Sequence, residues 1–274
     1  MKNKLQFFLH AALLLMVFSA CQKMDRPKLG DYAKDANPPG GPLKFYAAFD
    51  GADVDSIRAN FAAGNPLTYV AGITKQAIKG ADGKAISWPS ANDFKQSTSF
   101  SMSFWIKNTA QAGRTEFLFS LVDPTYNGWH YSALFLLMEN QTATKATMKL
   151  GLMDQWLEFP DANKFQKPLL DGNWHHIVYV YDEATSKMTY YFDGAVVTGM
   201  TPTQTDVKNG GAPRGKLNFS RAEKFIIGGW NKHANANGPG DDWIKSFTGS
   251  LDQFRLYGKA LSAAEVTALY NSKL

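Results

Sequence analysis

The chain has 274 residues, 45% of them hydrophobic and 14% aromatic, which excludes a disordered or low-complexity protein and suits one β-rich globular domain. Its 29 Lys and Arg oppose 24 Asp and Glu for a net charge of +5. Two of the basic residues, Lys2 and Lys4, sit in an N-terminal leader, and without them the balance is 27 against 24. That is too weak and too dispersed for nucleic acid, whose binders cluster Lys and Arg on one face.

In chain order, Met1-Lys-Asn-Lys4 is a basic start, and Leu5 to Phe18 is an apolar run too short for a comfortable membrane span. Phe18-Ser19-Ala20-Cys21 follows, and Cys21 is the single cysteine. The stretch resembles a bacterial lipobox, with Phe18 in place of the usual Leu. The resemblance implies a signal peptide over residues 1–20 and a Cys21 that is diacylated on sulfur and becomes the new N-terminus. No thiol is then left for a disulfide, a metal or a nucleophile. Gln22-Lys23-Met24-Asp25 resembles the short export signal of Gram-negative lipoproteins displayed on the outer face of the outer membrane. Residues 21–42, with Pro27 and Pro38-Pro39-Gly40-Gly41-Pro42, read as an extended tether.

Residues 43–274 read as one folded domain of short strands. Leu43 to Gly51 is a strand running into a turn, and strands are expected at 67–71 and 85–88 between Gly-rich turns. Ser99 to Lys107 alternates, with Phe100, Met102, Phe104 and Ile106 on one face. Strands are further expected at 115–122, 131–138, 146–153, 156–159, 217–220 and 224–228. Asp171 to Gly194 reads as two strands around a polar turn at Asp182 to Ser186, with a second tight turn at Asp193-Gly194. His176, Val178 and Val180 share one face of the first strand, and Ile177, Tyr179 and Tyr181 share the other. Apolar residues on both faces imply a strand covered on both sides or lining a groove. Phe247 to Gly258 is the last strand, and Ser262 with Glu265 forms a capping box for a short helix at about 263–270.

Gly249-x-Leu251-Asp252-x-Phe254-x-Leu256-Tyr257 followed by Leu261-Ser262-x-x-Glu265, together with Asn173-Trp174-His175-His176 and the Asp193-Gly194 hairpin, resembles the laminin-G-like branch of the concanavalin A-like jelly rolls. Phe100-Ser-Met-Ser-Phe-Trp105-Ile adds to the likeness. The resemblance spans Leu43 to Leu274 and implies an all-β sandwich of two antiparallel sheets with a short C-terminal helix. It also makes one of His175 and His176 a packed, hydrogen-bonded residue. Adjacent on a strand, the two cannot chelate one ion.

The same fold houses glycoside hydrolases, and their retaining members carry Glu-x-Asp-x-x-Glu on an inward-facing strand. That run is absent; the nearest pair, Asp154 and Glu158 around Trp156, lacks a third carboxylate and reads more simply as solvated strand-end charge. A catalytic residue is therefore not assigned. The family resemblance admits a Ca²⁺ site of carboxylates and backbone carbonyls, with Asp50, Asp53 and Asp55, Asp252, and Asp241-Asp242 as candidates, among which Asp50, Asp252 and Asp241 lead. Asp252 has the alternative of capping a backbone turn.

Aromatic residues carry the ligand reading, since Trp and Tyr offer flat apolar platforms to sugar rings beside Asn, Asp or His. Two loops fit: one with Tyr126, Trp129 and Tyr131, and a longer one with Trp230, Asn231, His233, Asn237 and Trp243. Trp230 and Trp243 have the alternative of packing their loop onto the sheet, and Trp105 and Trp174 are assigned to the core. The expected work is non-catalytic capture of an extracellular glycan in nutrient acquisition. The alternatives are a protein- or peptide-binding subunit of a TonB-dependent importer complex, and a glycoside hydrolase.

Overall fold

The computed structural model describes residues 40–64, 67–126, 128–158 and 167–273; the leader, Cys21 and most of the tether lie outside them. Among the described residues sixteen strands build the sandwich: β1 (Leu43–Ala47), β2 (Ala63–Gly64), β3 (Thr68–Ala71), β4 (Gln76–Lys79), β5 (Ile86–Trp88), β6 (Phe100–Thr109), β7 (Thr115–Val122), β8 (Ser132–Glu139), β9 (Thr147–Leu152), β10 (Gln155–Glu158), β11 (Asp171–Asp182), β12 (Lys187–Phe192), β13 (Ala195–Val196), β14 (Lys224–Ile227), β15 (Ile244–Ser246) and β16 (Ser250–Tyr257). The first sheet runs β13-β12-β11-β6-β16-β4-β3, with β1 also on β16. The second runs β10-β9-β8-β7-β14-β5-β2, with β15 joined parallel to β7. Every other pair in the two sheets is antiparallel, the jelly-roll sandwich that the sequence implies.

The core lies between the sheets, where alternate residues of facing strands meet. Phe254 of β16 stacks on Phe104 of β6 at 5.6 Å and on Phe119 of β7 at 5.3 Å, so one ring ties the two sheets together. Phe45 closes one side edge-on to Trp88 at 4.9 Å. Strand β11 is indeed covered on both faces. Ile177, Tyr179 and Tyr181 enter this core, while Val178 and Val180 pack with Tyr191, Leu261 and Val266 in a second cluster on the sheet's outer face. The cover there is helix α2 (Ala263–Asn271), which follows the single-turn α1 (Pro202–Thr205) in the chain. Ser262 Oγ accepts from the Glu265 amide at 3.3 Å and Glu265 accepts from the Ser262 amide at 2.9 Å, the expected capping box.

The Asp193-Gly194 turn has φ of 49° and 77°, both left-handed as a type I′ turn requires. Three expectations are corrected. Leu217 to Ser220 forms no strand; Leu217 and Phe219 are buried, Phe219 stacking on Phe94 at 5.1 Å, but they reach the core from a loop rather than a ladder. Strand β8 starts at Ser132 because Tyr131 sits at φ 47°, outside the extended region. Trp174 is half-buried at the bulge between Asp171 and Trp174, whereas Trp105 is core as expected.

Candidate functional site

The outer face of the second sheet differs from that of the first, because among the described residues no α-helix covers it; a short 3₁₀ turn, Asn231–Ala234, packs there instead. Phe117 of β7, Phe135 and Leu137 of β8 and Ile244 of β15 form a buried cluster there with Trp230. Two loops bound this cluster: residues 123–131, between β7 and β8, and residues 228–243, between β14 and β15. They are the two aromatic loops singled out in the sequence, and the fold brings them together. Trp129 and Trp243 lie parallel within 9° at 5.4 Å, and Trp129 is 6.4 Å from Trp156 of β10. The three indoles are 42%, 47% and 39% exposed for Trp129, Trp243 and Trp156. They form one continuous aromatic surface.

Trp230 is corrected from platform to support. It is fully buried, edge-on to Phe117 at 4.2 Å and to Phe135 at 5.0 Å, with Trp129 above it at 5.8 Å. Asn231 is corrected as well: it is fully buried and its amide is spent inside the protein. Its Oδ1 accepts from Ser120 at 2.6 Å, and its Nδ2 donates to the carbonyls of Asn237 at 2.8 Å and Tyr131 at 3.2 Å. One side chain thus joins the sheet to both loops. His233 takes the Trp230 amide on Nδ1 at 3.0 Å, and burial pushes its pKa down to about 4. It lines a separate cleft of about 400 Å³ with Asp82, Arg114 and Lys245 rather than the aromatic surface. Asn237 and Asp241 are exposed on the long loop. Tyr126, Trp129 and Tyr131 line a shallow cleft of about 450 Å³ with Pro124 and Thr125.

Sequence reasoning treated Trp156 only as the residue between two carboxylates and missed the residues that hold it. Strands β8, β9 and β10 place Phe135, Gly151 and Trp156 in one row across the sheet. Phe135 stands edge-on to Trp156 at 4.8 Å. A Cβ on Gly151 would sit 1.9 Å from the Phe135 ring, so this strand position requires glycine. A lone glycine inside an apolar strand was the available signal, since it marks a close approach.

Asp154 and Glu158 are each engaged by a cation. Asp154 pairs with Arg214, and Glu158 shares Lys149 with Glu139, at 3.1 and 2.6 Å. The metal candidates do not assemble either: among the described residues no three His, Cys, Asp or Glu side chains form a group able to hold an ion. Asp53 takes the Tyr69 hydroxyl at 2.9 Å, and Asp55 the amides of Tyr46 and Ile57. Asp252 is different. Its Oδ2 accepts from the Ile73 amide at 2.8 Å, the capping role, but its buried Oδ1 has no hydrogen-bond partner. Burial, with a contribution from the Asp50 charge, pushes its pKa up to about 6. The orphaned Asp252 oxygen is the one feature among the candidates that suits a hard cation; Asp50 is held by Lys75 at 3.3 Å and by the Gln76 amide at 3.2 Å.

His176 is the packed histidine. It is fully buried, 2.9 Å from Ser103 Oγ, and burial pushes its pKa down to about 4. His175 lies on the opposite face between Asp193 at 2.9 Å and Asp171 at 3.1 Å.

Two eight-stranded sheets, a helix over one and an aromatic surface on the other define the class, a jelly-roll sandwich of the lectin type. More particularly, the chain belongs to the concanavalin A-like lectin/glucanases superfamily, whose laminin-G family model matches residues 79–267. Domain 4 of AbnA, a GH43 extracellular arabinanase from Geobacillus stearothermophilus, solved in complex with arabinotriose, superposes with a TM-score of 0.55 at 18% identity, covering 83% of this chain and 98% of that one. The binding domain of botulinum neurotoxin DC, in complex with rat synaptotagmin II, gives 0.56 at 11% identity, covering 85% and 52%. A structure of botulinum neurotoxin type C, whose cell entry depends on interaction with two ganglioside molecules, gives 0.56 at 14% identity, covering 85% and 51%. The chain spans about half the length of these neurotoxin chains. At such identities the likeness is one of fold. No curated protein matches the sequence.

Proposed function

We propose that this protein is a lipid-anchored surface protein of the outer membrane that captures an extracellular glycan without cleaving it. The observation that carries the reading is the aromatic surface of Trp129, Trp243 and Trp156, three large apolar side chains left exposed side by side on a buried support. Indole faces suit the apolar faces of sugar rings, and the neighbouring Asn237, Tyr126 and Tyr131 bring polar groups to hydroxyls. The pairing of Asp154 and Glu158 with cations supports binding rather than hydrolysis. Domain 4 of the arabinanase, held with arabinotriose, lends the same fold a sugar-binding precedent. The lipobox-like Phe18 to Cys21 supports the anchor, and Gln22 to Asp25 the outward-facing leaflet. Calcium at the unpartnered Oδ1 of Asp252, within the field of Asp50, completes the proposal as a structural ion.

A glycan array with the full chain in detergent tests the binding, with Trp243→Ala as the discriminating variant. Binding should fall at least about tenfold while the melt stays near wild type, because a half-exposed indole supports little of the core. If Trp243→Ala leaves glycan binding intact, the aromatic surface is not the site. Retention of a TonB-dependent importer through purification, lost on deleting 235–241, would instead favour a polypeptide partner. Cys21→Ala should leave the membrane fraction, since the acyl chains supply the anchoring burial.

A further inference from the structure

The three indoles do not form one flat plate. Trp129 and Trp243 are stacked in parallel, centred 5.4 Å apart, while Trp156 is tilted by 33° and centred 6.4 Å from Trp129. Trp129 also borders the cleft of Tyr126 and Tyr131. One sugar ring covers only one of these facets, so full use of the face needs several linked rings.

Most of the charges around the face are paired with one another. Lys149 lies over the Trp156 ring but is held by Glu139 and Glu158. Arg214 is held by Asp154, Arg221 reaches Asp123 at 3.3 Å, and Lys232 donates to the carbonyls of Gly240 and Asp241. The carboxylates of Asp241 and Asp242, beside Trp243, are exposed. Among the described residues, a carboxylated or sulfated sugar laid over Trp156 and Trp129 would meet cations already paired with carboxylates and, beside Trp243, two exposed acids, whereas a neutral sugar disturbs none of these pairs.

We propose that the face takes a neutral oligosaccharide of three or more rings, laid from Trp156 across Trp129 and Trp243. This rests on the glycan-binding reading above and adds charge and length to it.

The test is calorimetric titration of the full chain with neutral arabino-, xylo- and cello-oligosaccharides of one to six rings, and with oligogalacturonides of matched length as the anionic probe. Affinity for at least one neutral series should rise by roughly tenfold or more between one ring and three, and should not change with added sodium chloride. Trp156→Ala should remove most of the gain with length. The length and salt series use the unaltered chain, so they stand even if that variant folds poorly. Equal affinity for one ring and six overturns the several-ring part. Tight, salt-weakened binding of oligogalacturonides that Trp243→Ala abolishes overturns neutrality but leaves the glycan face intact. Binding of neither series, with none on the array, overturns the glycan reading itself.

Discussion

Gly151 decides the geometry of the candidate site from below. Its missing side chain is the space that the Phe135 ring occupies, and that ring sets the edge-on support of Trp156. Gly151→Ala should destabilise the fold by about 1–3 kcal/mol through overpacking and weaken binding at Trp156 more than at Trp243. A thermal melt with the titration above checks both. A melt equal to wild type would show that Phe135 moves aside freely. Such a position is hard to read from sequence, because a glycine in a strand says that something approaches but not what. The exposed indoles were half legible for a related reason. Trp129 and Trp243 stand in polar loops, where an indole is conspicuous, but Trp156 looked like an ordinary strand residue. Trp230 had packing onto the sheet as its alternative, and the structure takes that alternative; Asn231 looked like a loop residue, and only the path of the chain buries it there.

At the scale of elements, the two loops meet because Asn231 holds them. Its amide donates to carbonyls of both loops while its oxygen is anchored on Ser120. Asn231→Asp keeps the shape but sets an oxygen against those carbonyls, and should cost about 3 kcal/mol for a buried group left without its partner. Parting of the loops has its own signature, loss of the exciton-coupled circular dichroism of the Trp129–Trp243 pair, which a uniform loss of stability does not produce below the melt. A second element, the start of β11, is pinned by His175 between Asp171 and Asp193. Burial alone would lower the His175 pKa, but the hydrogen bonds and charges of Asp193 and Asp171 outweigh it and hold it above the ordinary value. A raised folded-state pKa stabilises fully below about 6.5, the unfolded value, and the contribution fades as pH rises through the folded one. The stability gap between wild type and His175→Gln should therefore be widest near pH 6 and narrow by pH 8–9, which denaturant melts across that range would measure; a gap that widens with pH would reverse the assignment. The sequence indicated one packed histidine of the pair, and the ladder register assigns that role to His176 and the ionic one to His175.

For the whole molecule, the sandwich itself was legible because alternation, turn residues and the helix cap all agree, and such consistency is what specifies a fold. What was not legible is the asymmetry of its two outer faces, since nothing local says that α2 closes one while loops leave the other aromatic. Asp252 joins distant parts of the same body. It stands on the last strand, takes the amide of Ile73 in the β3–β4 hairpin and lies within the field of Asp50, so a cation there would link both ends of the domain. An ion bound by the folded state and not by the unfolded chain stabilises by about 2.7 kcal/mol at 100 times its dissociation constant. Chelation should accordingly lower the melting temperature of wild type, and calcium should restore it. Asp252→Asn keeps an oxygen for the Ile73 amide but removes the charge, so its melt should not respond to chelator or to calcium. An unchanged wild-type melt, with no metal found by elemental analysis of the purified chain, would reject the ion and leave Asp252 as a turn cap whose second oxygen is buried at a cost to stability. In that case Asp252→Asn should match or exceed wild type, because removing an unpaired buried charge relieves the fold.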